Sequence, residues 1–412
     1  MDVVAFNKVK LFRKIKSYCL YITRMNKINE RMKTIRFWKT TLLFVAMAGV
    51  LGSCDDDDEG KGLEWQSYSN GAYVVNAGNM YSNIDGSLTA IDYATSTAQQ
   101  KVFAEANQRS LGSTPNDGLV YGSKIYIAVD QSNTIEVIDR TTLRSVAQIN
   151  TTELMGVAEG KEPRHIIGND GYVFFTTYGG YVAHVDTMQF RLKQKFKVGN
   201  YPEGLLAMGT QIIVVNSNYA QGGGNLSVID TQKGTTDTYT IEGINNPQKL
   251  FAVSGNLIVL DWVYYDGSNN EMGESALKLV SLPNRTSQTM VEATYAALTN
   301  DGVFYTVANP YTNPTYGVYD TQKNGFAGNS SAQTPFAISE IPESPAGIEV
   351  DPVTGHVFIL SYHMGDYGYA DYNADGYVLE FDQTGQRLHS YKTGVGPTMM
   401  FFDAGTRIVA VP

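Results

Sequence analysis

A short apolar strand that ends in aspartate recurs along the chain about every 48 residues, close to the length of one four-stranded propeller blade. The copies are Thr89–Asp92, Glu136–Asp139, Ala183–Asp186, Ser227–Asp230, Gly317–Asp320 and Leu379–Asp382, with a variant, Leu279–Leu282, that lacks the aspartate. The repeat predicts an all-β fold, a seven-bladed β-propeller of four-stranded antiparallel blades over residues 68–412. A linear β-solenoid is the alternative, but its repeats are shorter and lack regular hairpin turns.

A second apolar strand precedes each copy, and a Gly-rich turn stands before most of these strands. The second strands are Ala72–Asn76, Lys124–Val129, Tyr172–Thr177, Gln211–Asn216, Asn256–Trp262, Val303–Ala308 and His356–Tyr362. The first repeat has no inner strand of its own. We therefore expect the C-terminal segment Thr398–Phe402 to supply that strand and to close the ring.

The N-terminal part of the chain has the pattern of a secretion signal. Residues 32–53 combine a basic start, the short apolar run Leu42–Leu51 and a small-residue box before Cys54, which resembles the lipobox of bacterial lipoproteins. Residues 1–31 precede this signal and are interpreted as a mis-annotated extension, so Cys19 would be absent from the protein. Cys54 would then be the only cysteine and would carry lipid, which excludes an intramolecular disulfide.

Residues 54–67 begin with the acidic run Asp55–Glu59 and are predicted to form a tether after the lipidated Cys54. The run resembles the export signal that sends lipoproteins of Bacteroidota to the outer face of the outer membrane. We expect a lipid-anchored protein that faces the cell exterior and contacts the membrane only through its anchor. Residues 54–412 carry 20 Lys and Arg against 39 Asp and Glu, a net charge of −19, which argues against a nucleic-acid partner.

The predicted propeller sorts the loops onto two faces. The loops between the second and third strands of each blade, and the connections between blades, share one face and are rich in Tyr, Trp and Asn. Aromatic rings beside amides around a central depression suit a large, flat, partly polar small molecule or a sugar. The alternative is that these tyrosines cap loops and pack between blades.

Catalytic and metal motifs are sparse. The five histidines have no metal-ligand spacing, and no thiol, zinc-protease, nucleophile-elbow or phosphate-loop motif occurs. His165 and His363 fall on the distinctive loops, where an acid–base or ligand role competes with plain hydrogen bonding. The run Asp371–Gly376, with Asp371, Asn373 and Asp375, matches the start of a calcium loop and has Asp382 at its twelfth position. An ordinary Asx turn is the alternative reading to a structural calcium ion.

Several segments carry a family resemblance. They are Val74–Met80, Phe103–Asn107, Asn116–Gly118, Tyr201–Glu203 and Thr393–Pro397. With the repeat, they resemble BtuG-type surface corrinoid-binding lipoproteins of Bacteroidota, a subgroup of the YncE-like, surface-layer-type propellers. The resemblance implies capture of vitamin B12 (cobalamin) or a related corrinoid, its transfer to a TonB-dependent outer-membrane transporter, and no required cofactor.

The resemblance also implies binding without catalysis, on a preformed aromatic and amide-rich face. The candidate ligand-binding residues are Tyr81, Arg164, Tyr178, Tyr201, Tyr219, Trp262, Tyr264, Tyr311 and Tyr362. Two alternatives remain open. One is a surface propeller that binds a glycan, another nutrient chelate or a protein partner. The other is a propeller enzyme such as a lyase or lactonase, which would need His or carboxylate groups clustered around the axis.

Overall fold

Apolar side chains fill the second and third strands of every repeat, and these strands form the centres of antiparallel sheets. The computed structural model describes residues 63–410, apart from 220, 267, 269 and 327–332. Within these residues, the strands form seven four-stranded sheets and one two-stranded ribbon. The predicted extension, signal peptide, lipidation site Cys54 and most of the tether lie outside the described residues.

The strand bounds follow the repeats closely. The first three repeats contain β1 (Leu63–Asn76), β2 (Ser87–Asp92), β3 (Thr97–Gln99), β4 (Pro115–Tyr121), β5 (Lys124–Val129), β6 (Thr134–Asp139), β7 (Ser145–Asn150), β8 (Pro163–Asn169), β9 (Tyr172–Thr177), β10 (Tyr181–Asp186) and β11 (Leu192–Lys197). The next two contain β12 (Pro202–Met208), β13 (Gln211–Asn216), β14 (Asn225–Asp230), β15 (Thr235–Thr240), β16 (Pro247–Val253), β17 (Asn256–Asp261), the ribbon β18 (Tyr264–Tyr265) and β19 (Glu271–Met272), β20 (Ala276–Ser281) and β21 (Thr286–Glu292). The last strands are β22 (Tyr295–Leu298), β23 (Val303–Ala308), β24 (Thr315–Asp320), β25 (Thr334–Pro335), β26 (Ser344–Val350), β27 (Val357–Tyr362), β28 (Asp375–Phe381), β29 (Arg387–Val395) and β30 (Pro397–Ala410).

The first sheet is closed by the C-terminal strand, as predicted. Its order is β3-β2-β1-β30, so the inner strand comes from the end of the chain. Phe401 of β30 stacks on Tyr73 of β1 with ring centroids 5.4 Å apart. The strand β1 begins at Leu63, before the predicted start of the fold at Tyr68. It extends that far because β30, its 14-residue partner, is equally long.

The hydrophobic core shows that the sheets form a ring. Seven buried clusters occur among the described residues, and each joins one sheet to the next. The cluster containing Val74, Phe358 and Met400 joins the last sheet to the first. The described residues therefore form an all-β propeller with seven four-stranded antiparallel sheets, which we call blades and number 1 to 7 from the sheet of β1.

The inner strands carry a repeated irregularity. In blades 2, 3, 4, 5 and 7 the pairing register shifts directly after a proline near the start of the strand. A β-bulge at this position re-aims the side chains that follow it. The bulges therefore set which side chains of the inner strands reach the propeller axis.

Short helices occur where the sequence shows no helical pattern. They are α1 (Val102–Asn107), α2 (Thr151–Met155), α3 (Thr321–Asn324) and a single 3₁₀ turn, Met80–Ser82. The Asn150 side chain accepts hydrogen bonds from Thr152 N and Glu153 N and so starts α2. Helices this short leave no periodic pattern in a sequence. No helix in the described part of the chain has the length and hydropathy needed to cross a membrane.

Candidate functional site

A cavity of about 810 Å³ lies among the loops of blades 4, 5 and 6. Its walls come from the loops that follow the second strands and from the connections between blades, which together we call the loop face. Four of the nine predicted ligand-binding residues line this cavity: Tyr219, Trp262, Tyr264 and Tyr311. Thr289 of the outermost strand β21 also lines it. The cavity thus lies toward the edge of the propeller, whereas we expected a depression on the axis.

Hydrogen bonds hold the aromatic wall in place. Trp262 Nε1 donates to the carbonyl of Thr294 over 2.6 Å, and its ring meets Tyr295 edge-on at 6.1 Å. The hydroxyls of Tyr295 and Tyr311 lie 3.0 Å apart. Burial, with the neighbouring Tyr311 hydroxyl, raises the pKa of Tyr295 well above its usual value, so this hydroxyl is neutral at physiological pH.

Tyr295 was missed from the sequence, although a signal for it exists. All six other inner strands have proline at or next to their first residue, whereas β22 starts with Tyr295. Tyr295 pairs with Val307 without a register shift, and its ring lies beside Trp262. The lack of a proline at the start of β22 was therefore the sequence signal that pointed to Tyr295.

The long fifth loop folds into the ribbon β18–β19 and forms another wall. Tyr264 pairs with Met272, and the Asp266 side chain accepts backbone hydrogen bonds from Ser268 and Asn270 in the turn. The Tyr264 ring lies against Gly222 of blade 4, where a Cβ atom would approach to 2.4 Å. Gly222 also has a φ of +66°, which favours glycine. The fourth loop therefore supports the fifth.

Three carboxylates stand on the same wall. Glu271, Glu274 and Glu292 all line the cavity. Glu292 Oε1 accepts a hydrogen bond from Asn309 Nδ2 at 2.8 Å, Glu271 accepts one from the Tyr265 hydroxyl at 3.3 Å, and Glu274 accepts one from Thr289. Each of these partners is neutral, so these hydrogen bonds supply no counter-ion to the three carboxylates.

Arg164, Tyr178 and Tyr201 form a second group beside the cavity. Arg164 Nη1 donates to Asp130 at 2.7 Å and its Nε donates to Glu203 at 3.1 Å. The guanidinium lies over the Tyr178 ring at 4.7 Å. Tyr178 meets Tyr201 edge-on at 5.1 Å, and the Tyr201 ring is 6.1 Å from the Tyr219 ring of the cavity. The structure therefore ties Arg164 to protein carboxylates and links it to the cavity only through tyrosines.

The bulged inner strands bring charges of alternating sign together at the axis. His165 Nδ1 lies 3.2 Å from Asp117 and its Nε2 lies 3.6 Å from Glu203, while Lys249 lies 2.7 Å from Glu349. These five residues form what we call the axial ring. Burial by itself would lower the pKa of His165, but hydrogen bonds and the charges of Asp117 and Glu203 outweigh it and raise the pKa to about 9. The imidazole is therefore charged at neutral pH.

Sequence reasoning missed this ring because it considered His165 as an isolated loop residue. Its carboxylate partners come from the inner strands of the two adjacent blades. The clue would have been the recurring proline and the polar residues after it. A His–carboxylate cluster near the axis is the arrangement expected of a propeller enzyme, but here every member already has a protein partner.

The two remaining aromatic candidates lie outside the cavity lining. Tyr81 is 90% exposed in the middle of the 3₁₀ turn, and Tyr362 meets Tyr372 edge-on at 5.1 Å. Asn79 Nδ2 donates to Asn373 Oδ1 at 2.9 Å, which joins the first loop to the seventh. The structure thus brings these loops together. Burial, with the neighbouring hydroxyls of Tyr372 and Tyr311, raises the pKa of Tyr362 to about 12, so Tyr362 lies near the Tyr311 side of the cavity.

The candidate calcium residues lie in the seventh loop. Asp371 Oδ1 accepts hydrogen bonds from the backbone of Asn373 and Ala374, which is an Asx turn. Asp382 stands at the far end of β28 and caps its own turn with Thr384, so it cannot supply the twelfth ligand. Within the described residues, no group of three or more His, Cys, Asp or Glu side chains is placed to hold a metal. Calcium binding at Asp371, Asn373 and Asp375 stays a prediction.

Fold and site define a class: a seven-bladed β-propeller with an aromatic cavity on its loop face. The chain belongs to the DUF5074 family, described as a domain of unknown function, whose model matches residues 70–403. A search of curated proteins found no match.

Two solved structures share the fold. One is a quinonprotein alcohol dehydrogenase-like protein from Bacteroides thetaiotaomicron, 14% identical, with a TM-score of 0.54 over 82% of this chain and 79% of that chain. The other is a candidate 6-phosphogluconolactonase from Bacteroides uniformis, 13% identical, with a TM-score of 0.51 over 81% of this chain and all of that chain. At this identity the likeness concerns the fold alone.

Proposed function

We propose that this protein is an outer-membrane surface lipoprotein that captures a corrinoid on its loop face and passes it to a TonB-dependent transporter. The observation that carries the proposal is the cavity of about 810 Å³, whose walls gather five aromatic side chains from three blades. This volume is in the range of small-molecule sites, roughly 300–1,000 Å³.

The chemistry of the walls suits a large macrocycle with amide side chains. The faces of Trp262 and Tyr264 offer apolar area to a flat ring. Asn246, Asn309 and the wall carboxylates offer acceptors for amide N–H groups. The neighbouring blades and the hydroxyl pair of Tyr295 and Tyr311 hold these groups before any ligand arrives. Preorganisation of this kind reduces the entropy lost on binding.

The direction of β1 supports an anchored protein with its binding site turned outward. This strand runs from Trp65 toward Asn76, next to the first loop of the loop face, so it approaches the loop face from the opposite side. A lipid on Cys54, upstream of β1, would therefore hold the protein by the face opposite the cavity. The cavity would be open to ligand from the medium.

Binding without catalysis is part of the proposal. The axial ring and the neighbouring Arg164 contain the groups an enzyme would use, but Arg164, His165 and Lys249 are all engaged with carboxylates. Among the described residues, the cavity lining contains no histidine and no cysteine, although the Thr289 hydroxyl donates a hydrogen bond to the Glu274 carboxylate.

The test is isothermal titration of cyanocobalamin into the chain without residues 1–59. We expect one-to-one binding that weakens at least about tenfold when Trp262→Ala and Tyr264→Ala are combined, because an aromatic face is lost. Tyr367→Ala is the matched control, since Tyr367 is 92% exposed and outside the lining. Absence of binding at micromolar protein would refute corrinoid capture and favour a glycan, another nutrient chelate or a protein partner.

A further inference from the structure

We infer that the cavity among blades 4, 5 and 6 selects ligands by charge: it accepts neutral, donor-rich or cationic ligands and rejects anionic ones. This inference rests on the proposed function in placing the ligand in the cavity, and it adds the chemical class of that ligand. Its basis is the combination of Glu271, Glu274 and Glu292 with aromatic walls.

The three carboxylates come from different segments and converge on one space. Glu271 belongs to the ribbon strand β19, Glu274 precedes β20, and Glu292 ends β21. Their hydrogen-bond partners, Tyr265, Thr289 and Asn309, carry no charge. All three glutamates are exposed, so they face whatever enters the cavity.

No basic side chain compensates for them. The cavity lining among the described residues contains no Lys, Arg or His. Residues 245–335, which span blades 5 and 6, contain four basic residues, and each has a contact elsewhere: Lys249 with Glu349, Lys278 with Asp261, Arg285 with the Tyr239 ring, and Lys323 with Asp320. The negative potential of the cavity is therefore not cancelled locally.

The carboxylate charges and the aromatic faces both favour cationic or donor-rich ligands over anionic ones. A carboxylate or phosphate on the ligand would meet three like charges without a counter-ion, and such repulsion rejects ligands. A cation would meet both the carboxylates and the electron-rich faces of Trp262 and Tyr264. Amide or hydroxyl donors would hydrogen-bond to the free carboxylate oxygens.

The first test compares two corrinoids that differ in charge. Titrations use cyanocobalamin and its tricarboxylate, in which three propionamides are hydrolysed to carboxylates. We expect the tricarboxylate to bind at least about tenfold more weakly than cyanocobalamin at low salt. This gap in affinity should narrow as salt is added, because salt screens the charges. The triple variant Glu271→Gln, Glu274→Gln, Glu292→Gln should narrow the gap as well. Equal affinity for both corrinoids, or a gap unchanged in the triple variant, would overturn the inference.

A matched control separates local from global charge. Glu64, Glu105 and Glu153 are exposed and lie outside the lining, so changing all three to Gln alters the net charge equally. This control triple should leave the gap between the two corrinoids within about twofold. If the control variant reduces the difference in affinity between the two corrinoids as much as the variant of the three cavity glutamates does, selection by the cavity is contradicted.

A second probe pair works even if no corrinoid binds. Proflavine is a flat cation and 1-pyrenesulfonate is a flat anion, and both report binding by fluorescence. We expect proflavine to bind more tightly than pyrenesulfonate. The triple variant Glu271→Gln, Glu274→Gln, Glu292→Gln should reverse or abolish this order of affinities. If neither corrinoid binds but proflavine binds more tightly than pyrenesulfonate, corrinoid capture is refuted and selection by charge is supported. Tighter binding of pyrenesulfonate would overturn the charge selection itself.

Discussion

Arg164 Nε donates a hydrogen bond to Glu203 Oε2 over 3.1 Å, from the inner strand of blade 3 to that of blade 4. The same guanidinium also reaches Asp130. The sequence predicted Arg164 as a ligand-binding residue, and the geometry gives it a protein-internal partner on each side. We therefore interpret Arg164 as a residue that positions Tyr178 and Glu203.

Arg164→Gln should destabilise the fold. The change leaves Asp130 and Glu203, both largely buried, without their shared counter-charge, at a cost of about 2 kcal/mol or more. Urea unfolding followed by tyrosine fluorescence measures the loss. Arg387→Gln breaks the exposed pair with Glu340 and should cost less than about 1 kcal/mol. Equal effects of the two changes would contradict the positioning role.

His165 should stabilise the fold at neutral pH and lose this effect in base. Its pKa is raised from 6.5 to about 9 in the folded protein, so the folded state holds the proton more tightly than the unfolded state. The stabilisation is complete below pH 6.5 and is lost as pH rises through about 9. Thermal unfolding from pH 6 to pH 10 should show a steeper decline for the native protein than for His165→Gln. Parallel curves would exclude a charged His165.

His184 should have the opposite pH dependence. Neither ring nitrogen has a hydrogen-bond partner among the described residues, and the ring stacks on Phe174 at 4.3 Å. Burial, together with the charge of Lys193, lowers the pKa of His184 to about 4. The unfolded state therefore binds the proton more tightly, and stability falls as pH drops from 6.5 toward 4.

His184→Phe should remove this acid sensitivity, because phenylalanine keeps the stacking and has no nitrogen to protonate. At pH 5 we expect it to raise the free energy of unfolding by about 1 kcal/mol or more. Thermal unfolding at pH 5 and pH 7.5 checks this. A variant that is less stable than the native protein at pH 5 would show that the imidazole makes a favourable contact.

The buried pair of Lys278 and Asp261 supports the cavity wall. Their atoms lie 2.8 Å apart, and Asp261 also accepts hydrogen bonds from the backbone of Asn245 and Asn246. Lys278→Met should cost about 3–5 kcal/mol because it leaves a buried carboxylate unpaired. The double variant with Asp261→Asn should recover part of this loss in a denaturant titration.

The pKa of Asp261 adds a pH signature to this prediction. Burial raises this pKa above 3.8 even though Lys278 opposes the shift. Removing Lys278 raises it further, so protonation relieves the unpaired charge as the pH falls. The loss in free energy of unfolding caused by Lys278→Met should therefore be smaller at pH 5 than at pH 8. A deficit independent of pH would indicate lost packing rather than lost charge.

The recurring Asp and the alternating apolar strands were enough to predict the propeller, its four-stranded blades and its closure by the C-terminal strand. These features follow from local periodicity, since a strand repeated every 48 residues or so has few ways to bury its apolar side chains. The loop tyrosines and Trp262 were predicted from the same reasoning, because strand order assigns each loop to a face.

Only the tertiary structure decided which of these side chains meet. It placed Trp262, Tyr264, Tyr219 and Tyr311 around one cavity, added Tyr295, and left Tyr81 exposed. It also bonded His165 to carboxylates from the blades on either side. These outcomes depend on bulge register, loop conformation and contacts between residues about 40 or more positions apart, and no local pattern encodes such distances.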